Sequence, residues 1–147
     1  EIRNNYNIIC YGGEKVSKEE LNFIKNFGVE KNIIKIDGND ALLKSLYKNS
    51  KLLVSTSLYE GFGLTILEAI SFECPVLAND INVYKDIYKD SIDYFDYNNL
   101  ENLMHKLQEI LIKNVYHANK KQVTSILTEN NWNNCAEKTI NLYKQIN

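Results

Sequence analysis

The stretch from Leu52 to Ala69 reads LLVSTSLYEGFGLTILEA and contains a complete strand-to-helix junction. Three apolar residues, Leu52 to Val54, predict a short buried strand, and the apolar spacing from about Leu64 to Phe72 predicts a helix. A loop with two glycines, Gly61 and Gly63, separates the two elements. Strand, loop and helix in this succession form the repeating unit of a parallel α/β sheet.

The same alternation continues on both sides of this junction. Further strands are predicted over residues 7–11, 33–36, 75–78 and 92–95. Helices are predicted after a Ser17–Glu20 capping box, with Gly28 as the stop, and around Leu42 to Tyr47. Three more helical stretches near residues 100–111, 116–127 and 132–146 are expected to pack on the sheet. The pattern therefore predicts a Rossmann-like three-layer α/β/α domain with a parallel sheet.

Length, composition and charge favour one compact domain, residues 1–147. Of the 147 residues, 44% are hydrophobic and 24% are charged, which is enough for one core and too little for two ordinary domains. The formal net charge of -2, without a Lys/Arg-rich run, argues against nucleic acid as a partner. No apolar run has the length of a transmembrane segment.

The sulfur-containing residues bear on compartment and on the natural chain. Cys10, Cys74 and Cys135 are far apart and odd in number, which favours a reducing compartment, and each is predicted to be a small buried hydrophobic residue. We therefore expect a cytoplasmic location. Since Met104 is the only methionine and the chain begins with Glu1, we expect the sequence to be a piece of a longer protein.

The loop from Ser57 to Gly63 and the helix that follows it have the features of an anion site. Glycines let a backbone approach a phosphate closely, and the free amides and the dipole of a helix N-terminus stabilise negative charge. Ligands of open α/β sheets bind at the carboxyl ends of strands, where this loop is expected. Glu60 and Glu68 are poor phosphate ligands but good acceptors for sugar hydroxyls. A nucleotide-sugar offers both kinds of group.

The string from Glu60 to Ala69, EGFGLTILEA, resembles the E-x7-E signature of the retaining glycosyltransferase family 4, whose members have the two-domain GT-B fold. Residues 46–50, 74–80 and 132–143 resemble further landmarks of that family in the same order, so the resemblance covers nearly the whole chain. It implies the C-terminal, donor-binding half of a retaining, hexosyltransferase-type enzyme. Such an enzyme transfers a sugar from a nucleotide diphosphate sugar to a glycan or lipid acceptor.

The resemblance also implies a role for each motif residue. Glu60 would be the catalytic-site residue that meets donor-sugar hydroxyls near the reacting carbon, and Glu68 would accept hydrogen bonds from the ribose. The donor sugar and phosphates would be contacted by Gly61, Phe62, Gly63, Leu64 and Thr65. The nucleobase would lie near two loops, which contain Gly12, Gly13, Asp37 and Gly38. Neither a cofactor nor a metal ion is expected.

The chain departs from the family pattern at three places. The Arg and Lys that neutralise the diphosphate belong to a strand-helix unit that this chain is predicted to lack, along with the N-terminal acceptor domain. The usual G-x-G-P turn is reduced to Gly12-Gly13-Glu14, and the usual Gly-Gly-x-Pro-Glu is replaced by residues 82–86, NVYKD. We therefore expect this chain alone to be inactive, and any approach to the cytoplasmic face of a membrane to depend on the missing part.

Several residues of the motif have structural alternatives. Glu68 could form a capping box with Thr65, which would direct its carboxylate to the amides of its own helix. Glu60 could be a solvated loop acid, and Gly61 and Gly63 could merely permit positive φ. The alternative function is a self-standing nucleotide-sugar-binding module or one subunit of a split enzyme.

Residues outside the motif are predicted to be structural. Trp132 and Tyr143 are expected to pack rather than to stack on a ligand. His105 and His117 are expected to lie in amphipathic helical stretches without a chemical role. The acidic turn residues are expected to bind no metal; they are Asp37, Asp40, Asp80 and Asp86.

Overall fold

The computed structural model describes residues 2–146 and has alternating helices and parallel strands, as the sequence predicts. The chain divides between Leu46 and Tyr47 into two compact units. The strands are β1 (Ile8–Tyr11), β2 (Ile33–Ile36), β3 (Leu53–Ser55), β4 (Val76–Asn79) and β5 (Asp93–Phe95). The helices are α1 (Ile2–Asn5), α2 (Lys18–Asn26), α3 (Asp40–Asn49), α4 (Leu64–Ser71), α5 (Asn82–Tyr88), α6 (Leu100–Leu111), α7 (Lys120–Glu129) and α8 (Trp132–Ile146). Short 3-10 helices cover Glu30–Asn32 and Lys89–Ser91.

The first unit contains a two-stranded parallel sheet. β1 and β2 pair with Ile8 opposite Ile33 and with Tyr11 opposite Ile36. The predicted capping box opens α2, because the Ser17 hydroxyl accepts the amide of Glu20 and the Glu20 carboxylate accepts the amide of Ser17. Both ends of α2 therefore follow the prediction, with Gly28 in the left-handed region directly after the C-cap.

The second unit contains a three-stranded parallel sheet in the order β3-β4-β5. All four residues of the central strand β4 are buried. Leu77 of this strand packs with Phe95 and Ile110, and Leu103 and Leu107 of α6 cover the same cluster. The core of this unit thus lies against the central strand β4. The neighbouring strand β3 leads into the glycine loop.

The last helix differs from the prediction. α8 was expected to pack on the sheet, yet none of its described residues is buried. Trp132 is 79% exposed and Tyr143 is 63% exposed, so the prediction that they pack is wrong for this chain. Their apolar spacing places them on one helical face, but nothing in the described part of the chain covers that face enough to bury a residue.

The predictions for two cysteines and one histidine are also wrong. Cys74 is buried as predicted, whereas Cys10 and Cys135 are exposed. Cys10 lies on β1, none of whose residues is buried, and Cys135 lies on the uncovered helix α8. His117 lies before α7 rather than in a helix, because Asn119 caps α7 by accepting two backbone amides.

A further helix, α5, was not predicted at all. Its segment begins with Asn82 and Val83, which are weak helix formers. The helix nevertheless buries Tyr84 and Tyr88 completely. Tertiary burial of these two large side chains therefore overrides the weak local preference.

Candidate functional site

The start of α4 lacks a side-chain cap. Gly63 is the N-cap residue, with φ 84° and ψ 55°, and no side chain bonds to the first turn. The Gly63 carbonyl accepts the amides of Ile66 at 2.9 Å and Leu67 at 3.3 Å, which begins the helix. The preceding amides of Leu64 and Thr65 are first-turn donors without an acceptor inside the helix. The positive end of the helix dipole is therefore available to an anion.

Gly63 cannot be replaced by a larger residue without disturbance. A Cβ at this position would lie 2.5 Å from Cε1 of Tyr84, and φ is in the left-handed region. Gly61 is different, since its φ is not in that region and a Cβ would meet no atom within 4 Å. Positive φ therefore explains Gly63 and does not explain Gly61.

Glu60 lies in the loop before these glycines and is partly buried. Its Oε1 accepts a hydrogen bond from the Ser57 hydroxyl at 3.0 Å. The carbonyl of Ser57 in turn accepts a hydrogen bond at 3.1 Å from Nδ2 of Asn79, which is fully buried at the end of β4. The carboxylate is thus tied through Ser57 to the central strand, unlike a freely solvated loop acid.

Glu68 lies one turn into α4 and is exposed. Its Oε2 accepts a hydrogen bond from the Tyr47 hydroxyl at 3.0 Å. Burial raises the pKa of Tyr47 well above its ordinary value, and the hydrogen bond and charge of Glu68 raise it further. Tyr47 therefore remains a donor throughout the physiological range.

The capping-box alternative for Glu68 is wrong. Thr65 lies inside α4 rather than at its N-cap, which is Gly63. The Glu68 carboxylate is oriented by Tyr47, a residue 21 positions away, and not by the amides of its own helix. Sequence reasoning missed this partner because no local spacing connects residues 47 and 68.

The residues predicted for the nucleobase all lie in the first unit. Gly12 and Gly13 follow β1 with φ of 65° and 75°, and the Gly12 amide donates to the carbonyl of Ile36 at 3.0 Å. Asp37 and Gly38 follow β2 directly. Because β1 and β2 are parallel, the structure brings these two loops together at the carboxyl edge of their sheet.

A separate cleft of about 520 Å³ in the second unit is lined by charged residues. Asp93, which is buried there, accepts the amide of His117 and lies 3.3 Å from its Nδ1 and 3.9 Å from Nζ of Lys106. Lys85, at another wall, pairs with Asp80 at 2.6 Å. These contacts join structural elements to each other and account for His117 as a structural residue.

The described residues show neither a metal-binding cluster nor a membrane-spanning helix. Within residues 2–146, no group of three or more His, Cys, Asp or Glu side chains is arranged to hold a metal ion. None of the helices in that range combines the length and the apolar composition that crossing a bilayer requires.

With a family model that matches residues 1–139, the chain belongs to the glycosyl transferases of group 1. It is 31% identical over 106 residues to the O-antigen chain mannosyltransferase B of Escherichia coli, a match covering 71% of this chain and 28% of that protein. It is 27% identical over 138 residues to the poly(ribitol-phosphate) alpha-N-acetylglucosaminyltransferase of Staphylococcus aureus, covering 90% and 28%. The chain thus spans less than a third of the length of these relatives.

Solved structures show the same fold. A glycosyltransferase from Rickettsia africae superposes with a TM-score of 0.77 at 20% identity, over 97% of this chain and 40% of that one. The architecture is therefore the Rossmann-like α/β fold of the GT-B glycosyltransferases, as the resemblance of the Glu60 to Ala69 string predicts.

Proposed function

We propose that the segment from Ser57 to Glu68 binds the nucleotide diphosphate sugar of a retaining glycosyltransferase. The observation that carries the proposal is the uncapped start of α4 at Gly63, with an oriented carboxylate on either side of it along the chain. Group 1 membership makes a sugar transferase the class to which this segment belongs. A diphosphate, a sugar and a ribose are the groups that this set of donors and acceptors would recognise.

Each part of the donor has a matching group in this segment. The amides of Leu64 and Thr65 and the dipole of α4 would bind the distal phosphate. Glu60, held by Ser57, would accept hydroxyls of the sugar, and Glu68, held by Tyr47, would accept the ribose hydroxyls. The backbone from Gly61 to Gly63 would lie along the sugar.

The chemistry follows from where charge develops. As the bond between the anomeric carbon and the diphosphate breaks, negative charge grows on the departing phosphate, and donors already aimed at it lower the barrier. Positive charge grows on the sugar ring, and Glu60 orients that ring toward the acceptor. We propose retention at the anomeric carbon and no metal requirement.

The acceptor and compartment belong to the same proposal. A glycan or lipid acceptor would bind to parts of the enzyme beyond this chain, which would also complete the diphosphate site. The named relatives transfer mannose and N-acetylglucosamine, which supports a hexose-type donor. Three free thiols are in keeping with a cytoplasmic site of reaction.

Donor binding is tested by calorimetric titration of the chain with UDP, GDP, ADP and their common sugar conjugates. We expect one nucleotide to bind saturably and Glu68→Ala to weaken it about tenfold, the effect of losing a charge-assisted hydrogen bond. Glu137→Ala, which removes an exposed carboxylate from α8, is the matched control and should leave the affinity unchanged. If the chain binds none of these ligands, the titration is repeated on the longer protein. A folded longer protein that binds none of them, or binding that is insensitive to Glu68→Ala, would contradict the proposal.

Retention is tested on the longer protein by proton NMR of the fresh product. The anomeric coupling constant should match the configuration of the donor. A product of the opposite configuration would refute the retaining mechanism while leaving donor binding intact. Full activity after exhaustive chelation is expected, and loss of activity that a divalent cation restores would refute the metal-free proposal.

A further inference from the structure

Two buried tyrosines of α5 contact the glycine loop. Tyr88 donates its hydroxyl hydrogen to the carbonyl of Gly63 at 2.8 Å, and its ring meets Phe62 edge-on with 6.2 Å between centroids. The Tyr84 ring closes the space beside Gly63, and its hydroxyl lies 3.0 Å from Oγ of Ser55. Both tyrosines are completely buried, so water does not compete for these hydrogen bonds and ring contacts.

The hydrogen bond from Tyr88 affects the whole peptide group between Gly63 and Leu64. The Gly63 carbonyl and the Leu64 amide belong to one planar peptide group, in which C=O and N–H point in opposite directions when the bond is trans. No cis peptide occurs in the described residues. The Tyr88 hydroxyl, together with the helical amides of Ile66 and Leu67, holds the Gly63 carbonyl. These donors therefore set the direction of the Leu64 N–H, which is the first free amide of α4.

The same bond also affects the strength of that amide. A hydroxyl that donates to a carbonyl polarises the peptide and makes its N–H a better donor. Burial raises the pKa of Tyr88 well above its ordinary value, and nearby Tyr84 contributes to the rise. Tyr88 therefore keeps its proton throughout the physiological pH range, and its hydroxyl remains a donor to the Gly63 carbonyl.

The position of α5 is held from the sheet. The Tyr94 hydroxyl on β5 donates to the carbonyl of Tyr84 at 3.0 Å. The rings of Tyr84 and Tyr88 meet edge-on with 6.1 Å between centroids. The two tyrosines thus form a rigid support between β5 and the first peptide of α4.

We propose that Tyr84 and Tyr88 are positioning residues for the donor diphosphate, acting through the Gly63–Leu64 peptide. Tyr88 helps to aim the Leu64 amide, and the Tyr84 ring packs against Gly63 where a side chain would otherwise lie. This inference rests on the proposed function, since it assigns a cause to the geometry of that diphosphate site. It gives Tyr84, which lies in the segment 82–86 that departs from the family pattern, a role in donor binding.

The test compares two ligands that differ by one phosphate. Affinities of the nucleoside diphosphate and of the monophosphate of the same base are measured by calorimetry for wild type and Tyr88→Phe. We expect the diphosphate affinity to fall about three- to tenfold, the range for one neutral hydrogen bond, with little change for the monophosphate. Tyr116→Phe removes a buried hydroxyl that bonds to the amide of Val76 instead, and it should change neither affinity.

A second measurement separates positioning from loss of folding. In nitrogen-labelled protein, the Leu64 amide resonance should shift on diphosphate binding in wild type and should shift much less in Tyr88→Phe. An equal fall in affinity for both ligands, or no fall in a folded variant, would overturn the inference. If wild type binds and responds to Glu68→Ala while Tyr88→Phe has no effect, only this inference fails. If the wild-type longer protein binds no nucleotide, the proposed function fails and the inference fails with it.

Discussion

The hydroxyl of Tyr47 lies 3.0 Å from Oε2 of Glu68 and joins the last turn of α3 to the middle of α4. Tyr47 is buried and Glu68 is exposed, so the hydrogen bond holds a surface carboxylate in one orientation. An oriented carboxylate loses less conformational entropy when a ligand binds than a free one does. This relationship underlies the first prediction.

Tyr47→Phe should lower the affinity for a ribonucleotide about two- to fivefold, since it removes one hydrogen bond but leaves the carboxylate in place. The affinity for the matching 2′,3′-dideoxynucleotide should barely change, because that ligand offers Glu68 no hydroxyl. Calorimetry with the two ligands measures the difference. Equal losses for both ligands would show that Tyr47 supports the fold rather than Glu68.

The two glycines of the loop provide a matched pair of variants. Gly63→Ala should destabilise the protein by roughly 1–3 kcal/mol, since it combines a left-handed φ with a contact to the Tyr84 ring. Gly61→Ala, which meets open space at an ordinary φ, should change stability by less than about 0.5 kcal/mol. Urea denaturation of both variants measures this, and equal effects would contradict the geometry.

Tyr116 should be a stability determinant away from the proposed site. Its hydroxyl oxygen accepts the amide of buried Val76 at 2.9 Å. Tyr116→Phe leaves that amide without its acceptor and should cost about 1–3 kcal/mol. Chemical denaturation measures the cost, and a variant as stable as wild type would show that the Val76 amide finds another partner.

The raised pKa of Tyr116 also predicts that the stability of the protein depends on pH in the alkaline range. Burial raises the pKa of Tyr116 to about 12, against about 10 in an unfolded chain. Below pH 10 both states hold the proton and this contribution to stability is complete. Between pH 10 and 12 the unfolded state binds fewer protons, so stability falls as pH rises. Tyr116→Phe should therefore show a shallower fall than wild type in this window, and identical slopes would refute the assignment.

Asp93 should hold the segment before α7. Its carboxylate accepts the amide of His117 at 3.1 Å and lies near the side chains of His117 and Lys106. Asp93→Ala should destabilise the protein by about 1–3 kcal/mol, because the part-buried amide of His117 loses its acceptor. Asp90→Ala, an exposed change at the same cleft, is the control. Nucleotide affinity should be unchanged in both, and a loss confined to Asp93→Ala would connect the cleft to the donor site.

Local pattern was sufficient for the strands and for the start of α2. The short apolar runs predict all five strands of residues 2–146 to within one residue at each end, because a run of consecutive apolar side chains is a local signal for a strand of a parallel sheet. Ser17 and Glu20 predict the start of α2 because a capping box is a contact between residues three apart. The Glu60 to Glu68 spacing likewise identifies the loop and helix on which the candidate site is built.

Contacts between distant residues could not be predicted in this way. Tyr47 and Glu68 are 21 positions apart, and Tyr88 and Gly63 are 25 apart, so their pairing depends on how helices pack on the sheet. The helix α5 formed against its local preference because Tyr84 and Tyr88 are buried there. Trp132 illustrates the opposite error, since helical spacing predicts an apolar face but does not say whether another element covers it.

The sequence by itself determined the alternation of strands and helices, the family, and the residue types at the loop from Ser57 to Gly63. These follow from backbone conformation and from spacing along the chain, which are local properties. The tertiary structure alone decided which hydroxyl orients each carboxylate and which tyrosine holds the first peptide of α4. Those choices depend on the distances between elements that are far apart in the chain, and such distances are set only when the core packs.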